Sequence, residues 1–268
     1  VTLGVMRSTS PKLLKFKVVR GDIPVTSIDA TYLLSDGTGY IKVNKFGRNT
    51  YSEFLNSMVE LRDKGAQRYM IDLRGNGGGY MEPAILMANE FLEAGRPIVE
   101  TRGRTDISET SAVSDGTGAF TQYPLVVVID EFSASASEIF AGAIQDNDRG
   151  VVVGRRSFGK GLVQRQIELP DHSAIRLTTA RYYTPSGRCI QKIYTPGALK
   201  SYDMEIVDRY NNGEIFSADS VHLDKTKKFL TLGGRTVYGG GGIMPDVFVP
   251  NDTTGLSTCL LYTSPSPR

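Results

Sequence analysis

The sequence predicts an α/β fold with a mostly parallel sheet, because apolar strands alternate with amphipathic helices along the 268 residues. Leu125–Ile129 is an uninterrupted apolar run, which is typical of a central strand that is buried on both faces. Residues 69–73 form a second apolar strand, and a glycine-rich turn follows it. After each of these strands the apolar residues recur with the 3.6-residue period of a helix.

The helices are predicted from caps and apolar spacing. Asn49 or Thr50 can cap a helix that runs to about residue 64. Pro83 fits the first turn of a helix over residues 81–94, where its missing N–H does no harm. The other predicted elements are a strand at 40–43, a long loop at 103–118, a helix at 135–147, a strand at 151–153, antiparallel strands at 163–169 and 174–183, a surface helix with loops at 200–228, and a closing strand at 247–250.

Both ends of the chain differ from this pattern. Two strands, at residues 1–7 and 13–20, surround a polar turn and look like the last hairpin of a unit that begins further upstream. At the other end, residues 257–268 show no periodicity and resemble translated sequencing-adaptor sequence. We expect that this tail is not native and that Cys259 carries no information. No stretch approaches the ~20 apolar residues of a membrane-spanning helix.

The composition excludes several classes of function. Lys and Arg number 31 and Asp and Glu number 29, so the net charge of +2 gives no reason to expect nucleic acid as a partner. Two histidines, His172 and His222, and two cysteines, Cys189 and Cys259, are too few for a disulfide framework or a Cys/His zinc site. We therefore expect no metal and no cofactor. A Ser-His-Asp triad would have to use one of two poorly placed histidines.

The segment 154–161 begins like a phosphate-binding P-loop, because it follows a predicted strand and reads GxxxxGK. The next position of that motif should be Ser or Thr, whose hydroxyl binds Mg²⁺, but here it is Gly161. Residues 162–164 also look more like a strand than a phosphate-facing helix. A nucleotide site is therefore disfavoured.

A glycine-rich loop at residues 74–79 connects a predicted strand to a predicted helix. Its backbone N–H groups and the helix N-terminus suit the binding of a phosphate or an oxyanion. The alternative is a tight turn in which glycine supplies a positive φ, and the spacing alone favours that alternative. A dinucleotide fingerprint does not fit, since Tyr80 stands where GxGxxG requires glycine.

Two further features suggest nucleophilic chemistry, although each also has a structural explanation. Ser135 and Glu138 form an S-x-x-E capping box at a predicted helix start, which by itself favours structure. However, three serines alternate with alanine directly after a buried strand, where a nucleophile would be exposed beside free N–H groups. Lys160 has glycine and apolar neighbours, and lost hydration favours the neutral amine of a base. A solvated loop lysine is the alternative, and these residues by themselves favour it. A Ser-Lys pair would need no histidine.

Five segments occur in one order over residues 72–246. They read DLRGNGGG at 72–79, FSASASEI at 132–139, FGKGLVQ at 158–164, YTPSG at 183–187 and GGGGIMPD at 239–246. Together they resemble the carboxyl-terminal processing peptidases, or tail-specific proteases, of the S41 serine peptidase family. The resemblance implies a ClpP/crotonase-like ββα superhelix core, preceded by the carboxyl-terminal strands of a truncated PDZ domain.

The resemblance also implies catalytic roles for three side chains. Ser135, the middle serine of the SASAS run, corresponds to the nucleophile. Lys160 corresponds to the general base, and the spacing of 25 residues (160 − 135) is the one that the family keeps. Gln164 matches the glutamine that positions the lysine.

Supporting roles follow from the same resemblance. The backbone N–H groups of Gly78 and Ala136 would form the oxyanion hole, which explains why the loop is rich in glycine. Glu138 and Asp146 match acidic positions on the nucleophile helix that the family retains. Gly77 departs from the family pattern, in which proline or another residue is frequent at this position, and the departure should not harm an oxyanion role.

For the whole chain, the resemblance implies a PDZ remnant at residues 1–20, a catalytic domain at 21–256 and a non-native tail at 257–268. The implied activity is a serine endopeptidase that cleaves proteins near or from their carboxyl termini through an acyl-enzyme intermediate. Its substrates would be unfolded proteins or proteins with exposed carboxyl termini, and an activator or adaptor protein can accompany it. The implied location is the cell envelope or periplasm, with room for a membrane anchor upstream of Val1.

Two alternatives stay open. The chain could be a catalytically silent, peptidase-like binding or scaffold protein, although the intact Ser135, Lys160 and Gln164 argue against that. It could also be a crotonase-type acyl-CoA enzyme with a similar oxyanion hole, but such an enzyme has no need for the paired serine and lysine motifs.

Overall fold

The computed structural model describes residues 1–21, 25–104, 109–195, 197, 199–221, 224 and 226–252. His222, Cys259 and the predicted tail at 257–268 lie outside these residues. The helices are α1 (Thr50–Asp63), α2 (Met81–Asn89), α3 (Ala136–Asp146) and α4 (Leu199–Asn211). The strands are β1 (Thr2–Arg7), β2 (Ser10–Lys17), β3 (Ile28–Leu33), β4 (Thr38–Val43), β5 (Arg68–Asp72), β6 (Pro97–Gly103), β7 (Thr110–Val113), β8 (Leu125–Ile129), β9 (Val151–Gly154), β10 (Leu162–Glu168), β11 (Ala174–Tyr183), β12 (Lys228–Leu230), β13 (Thr236–Tyr238) and β14 (Val247–Phe248).

The central sheet has six strands in the order β14-β9-β8-β5-β4-β3. All neighbouring strands pair in parallel except β3 and β4, which pair antiparallel. Val127 of β8 lies opposite Ile71 of β5 and Val152 of β9, and all three side chains are fully buried. The predicted α/β class with a mostly parallel sheet is therefore confirmed, and the apolar run at 125–129 is one of its two central strands.

A second sheet is antiparallel and has the order β10-β11-β6-β7. Strand β7 lies within residues 103–118, which the sequence predicts to be one long loop, and that prediction is wrong for Thr110–Val113. The segment is not strongly apolar, and it becomes a strand because β6 offers it a hydrogen-bonding edge. Strands β3, β6, β12 and β13 are also missing from the predicted elements, and each is stabilised by pairing with a partner strand.

Helices α1 and α3 agree with their predicted bounds to within about a residue, but α2 ends at Asn89 and not at residue 94. The Glu90 carbonyl accepts a hydrogen bond from Phe120 N–H at 3.0 Å. Gly118 packs so closely here that an added Cβ would lie 2.3 Å from the Asn89 carbonyl oxygen. The chain around residues 118–120 thus occupies the space that another turn of α2 would need.

The hydrophobic core joins the helices to the central sheet. Phe91, just after α2, packs against Phe54 of α1 and Phe140 of α3, with ring centroids 6.2 Å apart in both pairs. All three rings are fully buried. The buried side chains of α1 include Phe54, Met58 and Leu61, which recur with the helical spacing seen in the sequence.

Strands β1 and β2 pair as a hairpin and form a sheet of two strands. The predicted pair of strands is confirmed, but the second strand runs over Ser10–Lys17 and not over residues 13–20. Several of its apolar side chains, including Leu3, Met6 and Phe16, are exposed. The assignment of residues 1–20 to a PDZ remnant stays a prediction. Within the part of the chain that the structure describes, no helix is long and apolar enough to cross a membrane.

Candidate active site

Ser135 lies in the turn between central strand β8 and helix α3, where the sequence places it. It is the N-cap residue of α3 and has φ 58° and ψ −112°, a conformation that residues other than glycine rarely adopt. The turn before it is fixed by hydrogen bonds to the glycine-rich loop. Ser133 Oγ donates to the Leu73 carbonyl at 2.8 Å, and Ala134 N–H donates to the Asn76 carbonyl at 2.9 Å. These contacts can hold the unusual backbone conformation in place.

Glu138, one turn into α3, binds the backbone on both sides of the site. Its carboxylate accepts hydrogen bonds from Ser135 N–H at 2.8 Å, from Lys160 N–H at 2.8 Å and from Gly159 N–H at 2.7 Å. The Ser157 hydroxyl donates a fourth hydrogen bond. Burial raises the pKa of the Glu138 carboxyl, and these four hydrogen bonds oppose that rise. Glu138, the predicted capping residue, therefore also fixes the backbone at Gly159 and Lys160, which we call the lysine turn.

The GGGGIMPD segment stabilises this arrangement through further hydrogen bonds. Ile243 N–H donates to Ser157 Oγ at 2.6 Å, so the serine that binds Glu138 is itself held by this segment. The Asp246 carboxylate accepts Val152 N–H of β9 at 2.8 Å and the Gln145 side chain of α3 at 2.9 Å. The segment thus connects helix α3 to the sheet.

The glycine-rich loop contacts the turn that carries Ser135 through Gly78. Gly78 has φ +95°, and an added Cβ would lie 2.6 Å from the Ala134 carbonyl oxygen and 2.7 Å from Ser135 Cβ. Ala136 N lies 3.0 Å from the same position, so the two N–H groups predicted for the oxyanion hole are neighbours. Among the described contacts, Ala136 N–H has no acceptor, whereas Gly78 N–H donates to Asn76 Oδ1 at 2.9 Å.

Asn76 is a site residue that the sequence does not single out. It is fully buried, and its Nδ2 donates to the Val43 carbonyl of β4 at 3.0 Å while its Oδ1 accepts Gly78 N–H. Its carbonyl accepts Ala134 N–H and the Ser137 hydroxyl. Asn76 therefore fixes the glycine-rich loop to both the sheet and α3. An asparagine followed by glycine is a frequent turn pair, which is the local signal that could have identified it.

These elements surround a cavity of about 690 Å³. Four of the predicted site residues, Ser135, Lys160, Gln164 and Gly78, line this cavity. Among the described hydrogen bonds, none joins Ser135 Oγ to Lys160 Nζ or Gln164 to Lys160. Catalytic hydrogen bonds are often long or poorly aligned before a substrate is bound, so the lack of these two contacts is no argument against a dyad. Ala136 and Glu138 do not line the cavity. Both lie in the first turn of α3, next to Ser135.

Lys160 lies between β9 and β10, in a segment that is neither helix nor strand. The chain continues from Gly161 into strand β10 at Leu162, so the helix that a P-loop requires does not follow. Gly161 N–H donates to Gln191 Oε1 at 2.9 Å, and an added Cβ at position 161 would lie 2.8 Å from Gln191 N. The lysine turn is thus packed against a neighbouring segment and is not a solvated loop.

Asp146 lies away from the cavity. It ends α3, 11 residues (146 − 135) after Ser135, which is roughly 16 Å along a helix. Its carboxylate pairs with Arg188 at 2.7 Å, with both side chains fully buried, and accepts Ser186 N–H at 3.1 Å. Its contacts therefore connect α3 to the YTPSG segment and its neighbour Arg188.

Neither a histidine nor a metal cluster is found beside Ser135 in the described structure. His172 is exposed in the turn between β10 and β11 and does not line the cavity. No group of three or more His, Cys, Asp and Glu side chains among the described residues could hold a metal ion. The side chains that line the cavity include one hydroxyl that could act as a nucleophile, that of Ser135, and one amine that could act as a base, that of Lys160.

The chain is similar to several known proteins. The model of peptidase family S41 matches residues 37–198. A carboxyl-terminal-processing protease of Picosynechococcus sp. is 39% identical over 196 residues, which cover 72% of this chain and 46% of that protein. A carboxy-terminal-processing protease of Bartonella bacilliformis is 38% identical over 232 residues, which cover 80% of this chain and 52% of that protein.

The solved structure of a photosystem II D1 C-terminal processing protease has the same fold. Its TM-score is 0.55 at 29% sequence identity, and the match covers 67% of this chain and 49% of that one. The chain spans about half the length of the curated relatives named above. The family match covers residues 37–198, and this range contains the glycine-rich loop, the serine turn and the lysine turn. The chain belongs to peptidase family S41.

Proposed function

We propose that the chain is the catalytic part of a serine endopeptidase that cleaves proteins near their carboxyl termini. The observation that carries this proposal is that the buried Glu138 carboxylate binds the backbone of both Ser135 and Lys160. These two residues line the same cavity. Such a contact holds nucleophile and base in a fixed relation, as covalent catalysis requires. The family and the names of its curated relatives support this choice of reaction.

In the proposed reaction, the Lys160 amine accepts the hydroxyl proton of Ser135 as Oγ attacks the carbonyl carbon of a peptide bond. The tetrahedral oxyanion accepts hydrogen bonds from Ala136 N–H and Gly78 N–H, and the latter must then be shared with or released from Asn76 Oδ1. In other enzymes, such a donor stabilises the transition state by about 3–4 kcal/mol. Gln164 would keep the Lys160 amine oriented toward Ser135.

The second half of the reaction returns the enzyme to its starting state. Protonated Lys160 gives its proton to the leaving amine as the peptide C–N bond breaks, which leaves an ester between Ser135 and the amino-terminal product. Water then attacks this ester, with Lys160 again as the base. The carboxylic acid product leaves and the Ser135 hydroxyl is regenerated.

Further features belong to the same proposal because the family implies them. The core would be a ClpP/crotonase-like ββα superhelix, and residues 1–20 would be the end of a PDZ domain. The substrates would be unfolded proteins or proteins with exposed carboxyl termini, with an activator or adaptor protein in some settings. The location would be the cell envelope.

Cleavage of an unfolded protein with an apolar carboxyl terminus tests the proposal. Ser135→Ala and Lys160→Ala should each lower kcat by at least about 10⁴-fold, because each removes one partner of the dyad. His172→Ala is the control and should cleave like the wild type, since His172 is exposed and outside the cavity. Circular dichroism shows whether each variant is folded. Full activity in either dyad variant would overturn the assignment.

Two simple assays separate the alternatives. A serine-directed phosphonate should label wild-type protein at Ser135, whereas a silent scaffold protein would not react. A crotonase-type enzyme would turn over an acyl thioester without cleaving protein. Thioester turnover that persists in Ser135→Ala would favour that alternative.

A further inference from the structure

The charged side chains that line the cavity containing Ser135 are all cationic. Its charged lining residues are Arg48, Lys160 and Arg176, and no Asp or Glu is present among the described residues that line it. The remaining lining side chains are neutral, and they include Gln164 and Gln166. The chain as a whole has nearly equal numbers of basic and acidic residues, so this excess is local.

Arg176 projects into the cavity from the hairpin that follows Lys160. It lies on β11 directly opposite Gln166 of β10, and both residues line the cavity. Its direct cross-strand partner is thus an uncharged amide. Arg165, between two lining residues of β10, points to the opposite face of the hairpin, because side chains alternate along a strand.

Arg48 lies on the other wall, beside the glycine-rich loop. Phe46 pairs with Gly79 in an isolated bridge, which places Arg48 two residues beyond a contact with that loop. The Arg48 guanidinium carbon lies 5.9 Å from the centre of the Tyr80 ring, and Tyr80 also lines the cavity. A half-exposed tyrosine ring leaves the guanidinium charge largely uncompensated.

Neither arginine has a carboxylate partner within the described structure. The salt bridges found there do not include Arg48 or Arg176. Both arginines are exposed. The described structure therefore gives no reason why the fold would need either charge. Arginines that do have a carboxylate partner are Arg62, Arg74, Arg96, Arg102, Arg155, Arg156, Arg188, Arg209 and Arg235.

We infer that Arg48 and Arg176 bind a carboxylate of the substrate close to the scissile bond and so determine specificity. The inference rests on the proposed peptidase function, in which Lys160 is used for proton transfer and the two arginines remain for recognition. A guanidinium binds a carboxylate through two parallel hydrogen bonds, which fixes both charge and orientation. The carboxylate belongs either to an acidic side chain or to the carboxyl terminus of the cleaved protein.

Fluorogenic peptides of matched sequence distinguish these sources. One pair carries Glu or Gln beside the cleaved bond, and a second pair, with Gln there, ends in a free carboxylate or an amide. Wild-type protein should cleave a peptide with the added carboxylate about tenfold faster in kcat/KM than its neutral partner, in at least one pair. The pair that shows the preference identifies the source. The preference should shrink as NaCl is raised, because the arginines are exposed.

Variants of the two arginines complete the test. In the double variant Arg48→Gln/Arg176→Gln, the ratio of kcat/KM for the charged peptide to kcat/KM for its neutral partner should fall to about one. The charge reversal Arg176→Glu should favour a peptide with Lys at the varied position. Arg165→Gln removes an exposed arginine from the opposite face of the same hairpin and should keep the wild-type preference.

Failure of this inference differs from failure of the proposed function. Equal cleavage of charged and neutral peptides by wild-type protein would overturn the inference and leave the peptidase intact. If no peptide is cleaved, binding to Ser135→Ala protein measured by fluorescence anisotropy still decides the matter. Tighter binding of the carboxylate peptides that is lost in the arginine double variant would support the inference, and equal binding would overturn it.

Discussion

At the scale of single residues, Glu138 connects the two halves of the proposed dyad. One carboxylate oxygen accepts the N–H groups of Ser135 and Lys160, and the other accepts the Gly159 N–H and the Ser157 hydroxyl. All four partners are donors, so the site needs a side chain that presents two acceptor oxygens. Glutamine has the same length but only one such oxygen.

The variant Glu138→Gln should therefore lose both stability and activity. Its amide NH₂ would face two donors, and two unsatisfied buried groups cost about 2–4 kcal/mol in the free energy of unfolding. We expect urea unfolding to show a loss of this size. We also expect kcat to fall at least about tenfold with a smaller change in KM, because the reacting groups lose their alignment.

Glu60→Gln on the surface of α1 is the matched control. It removes an exposed ion pair between Glu60 and Lys64 and should change the free energy of unfolding very little. Wild-type stability and kcat in Glu138→Gln would show that the shared hydrogen bonds are not needed.

At the scale of elements, the site depends on how the glycine-rich loop after β5 meets the amino-terminal end of α3. Gly77 and Gly78 are adjacent in this loop but have different surroundings. An added Cβ at Gly77 would contact nothing within 4 Å, whereas one at Gly78 would collide with the serine turn. Gly78 also has a positive φ, which an L side chain makes costly.

Alanine substitutions at these two glycines test that contact. Gly78→Ala should reduce kcat/KM at least about 100-fold, because the added methyl group displaces the N–H predicted to bind the oxyanion. Gly77→Ala should stay close to the wild type in the same assay. Circular dichroism would confirm that both variants are folded. Equal losses in the two variants would argue against a specific contact between Gly78 and the serine turn.

At the scale of the whole molecule, Asp72 joins two parallel strands of the central sheet at their carboxyl ends. Its carboxylate accepts hydrogen bonds from Tyr40 and Lys42 of β4 and from the Arg74 side chain. Burial by itself raises the pKa of Asp72, but the hydrogen bonds from Arg74 and Tyr40 outweigh it and lower the pKa to about 2. Burial and the bond to Asp72 raise the pKa of Tyr40 to about 12.

The lowered pKa of Asp72 predicts how stability depends on pH. The ordinary value is 3.8, so between about pH 4 and pH 2 the unfolded chain binds more protons at this group than the folded chain does. The ionised carboxylate therefore contributes about 2 kcal/mol of stability above about pH 4, and that contribution is lost as the pH falls toward 2.

Asp72→Asn should therefore be less stable than the wild type at pH 7, and the difference should shrink steadily between pH 4 and pH 2. Urea unfolding at pH 7, 4 and 2.5 would measure it. Asp63→Asn changes an exposed carboxylate at the end of α1 and is the control. A difference between wild type and Asp72→Asn that does not change with pH would contradict the assignment of the shift to this carboxylate.

Much of the fold could be predicted because its signals are local. The apolar run at 125–129 forms a central strand, and residues 50–63, with their helical spacing of apolar side chains, form α1. In both cases the order of apolar and polar residues indicates whether one face or both faces are buried. Strand β7 could not be predicted in this way. Its sequence has no strong alternation, and it is a strand only because β6 lies beside it.

The candidate site also has one part that local sequence signals predict and another part that they do not. The motifs that carry Ser135 and Lys160 are enough to identify the family, and the S-x-x-E cap predicts the turn at Ser135. The hydrogen bond from Lys160 N–H to Glu138 and the one from Asn76 to β4 are evident only in three dimensions. These contacts join residues more than 20 positions apart, and no local pattern encodes such distances. They exist because the parallel sheet brings the carboxyl ends of its strands to one edge, where buried polar groups must find partners.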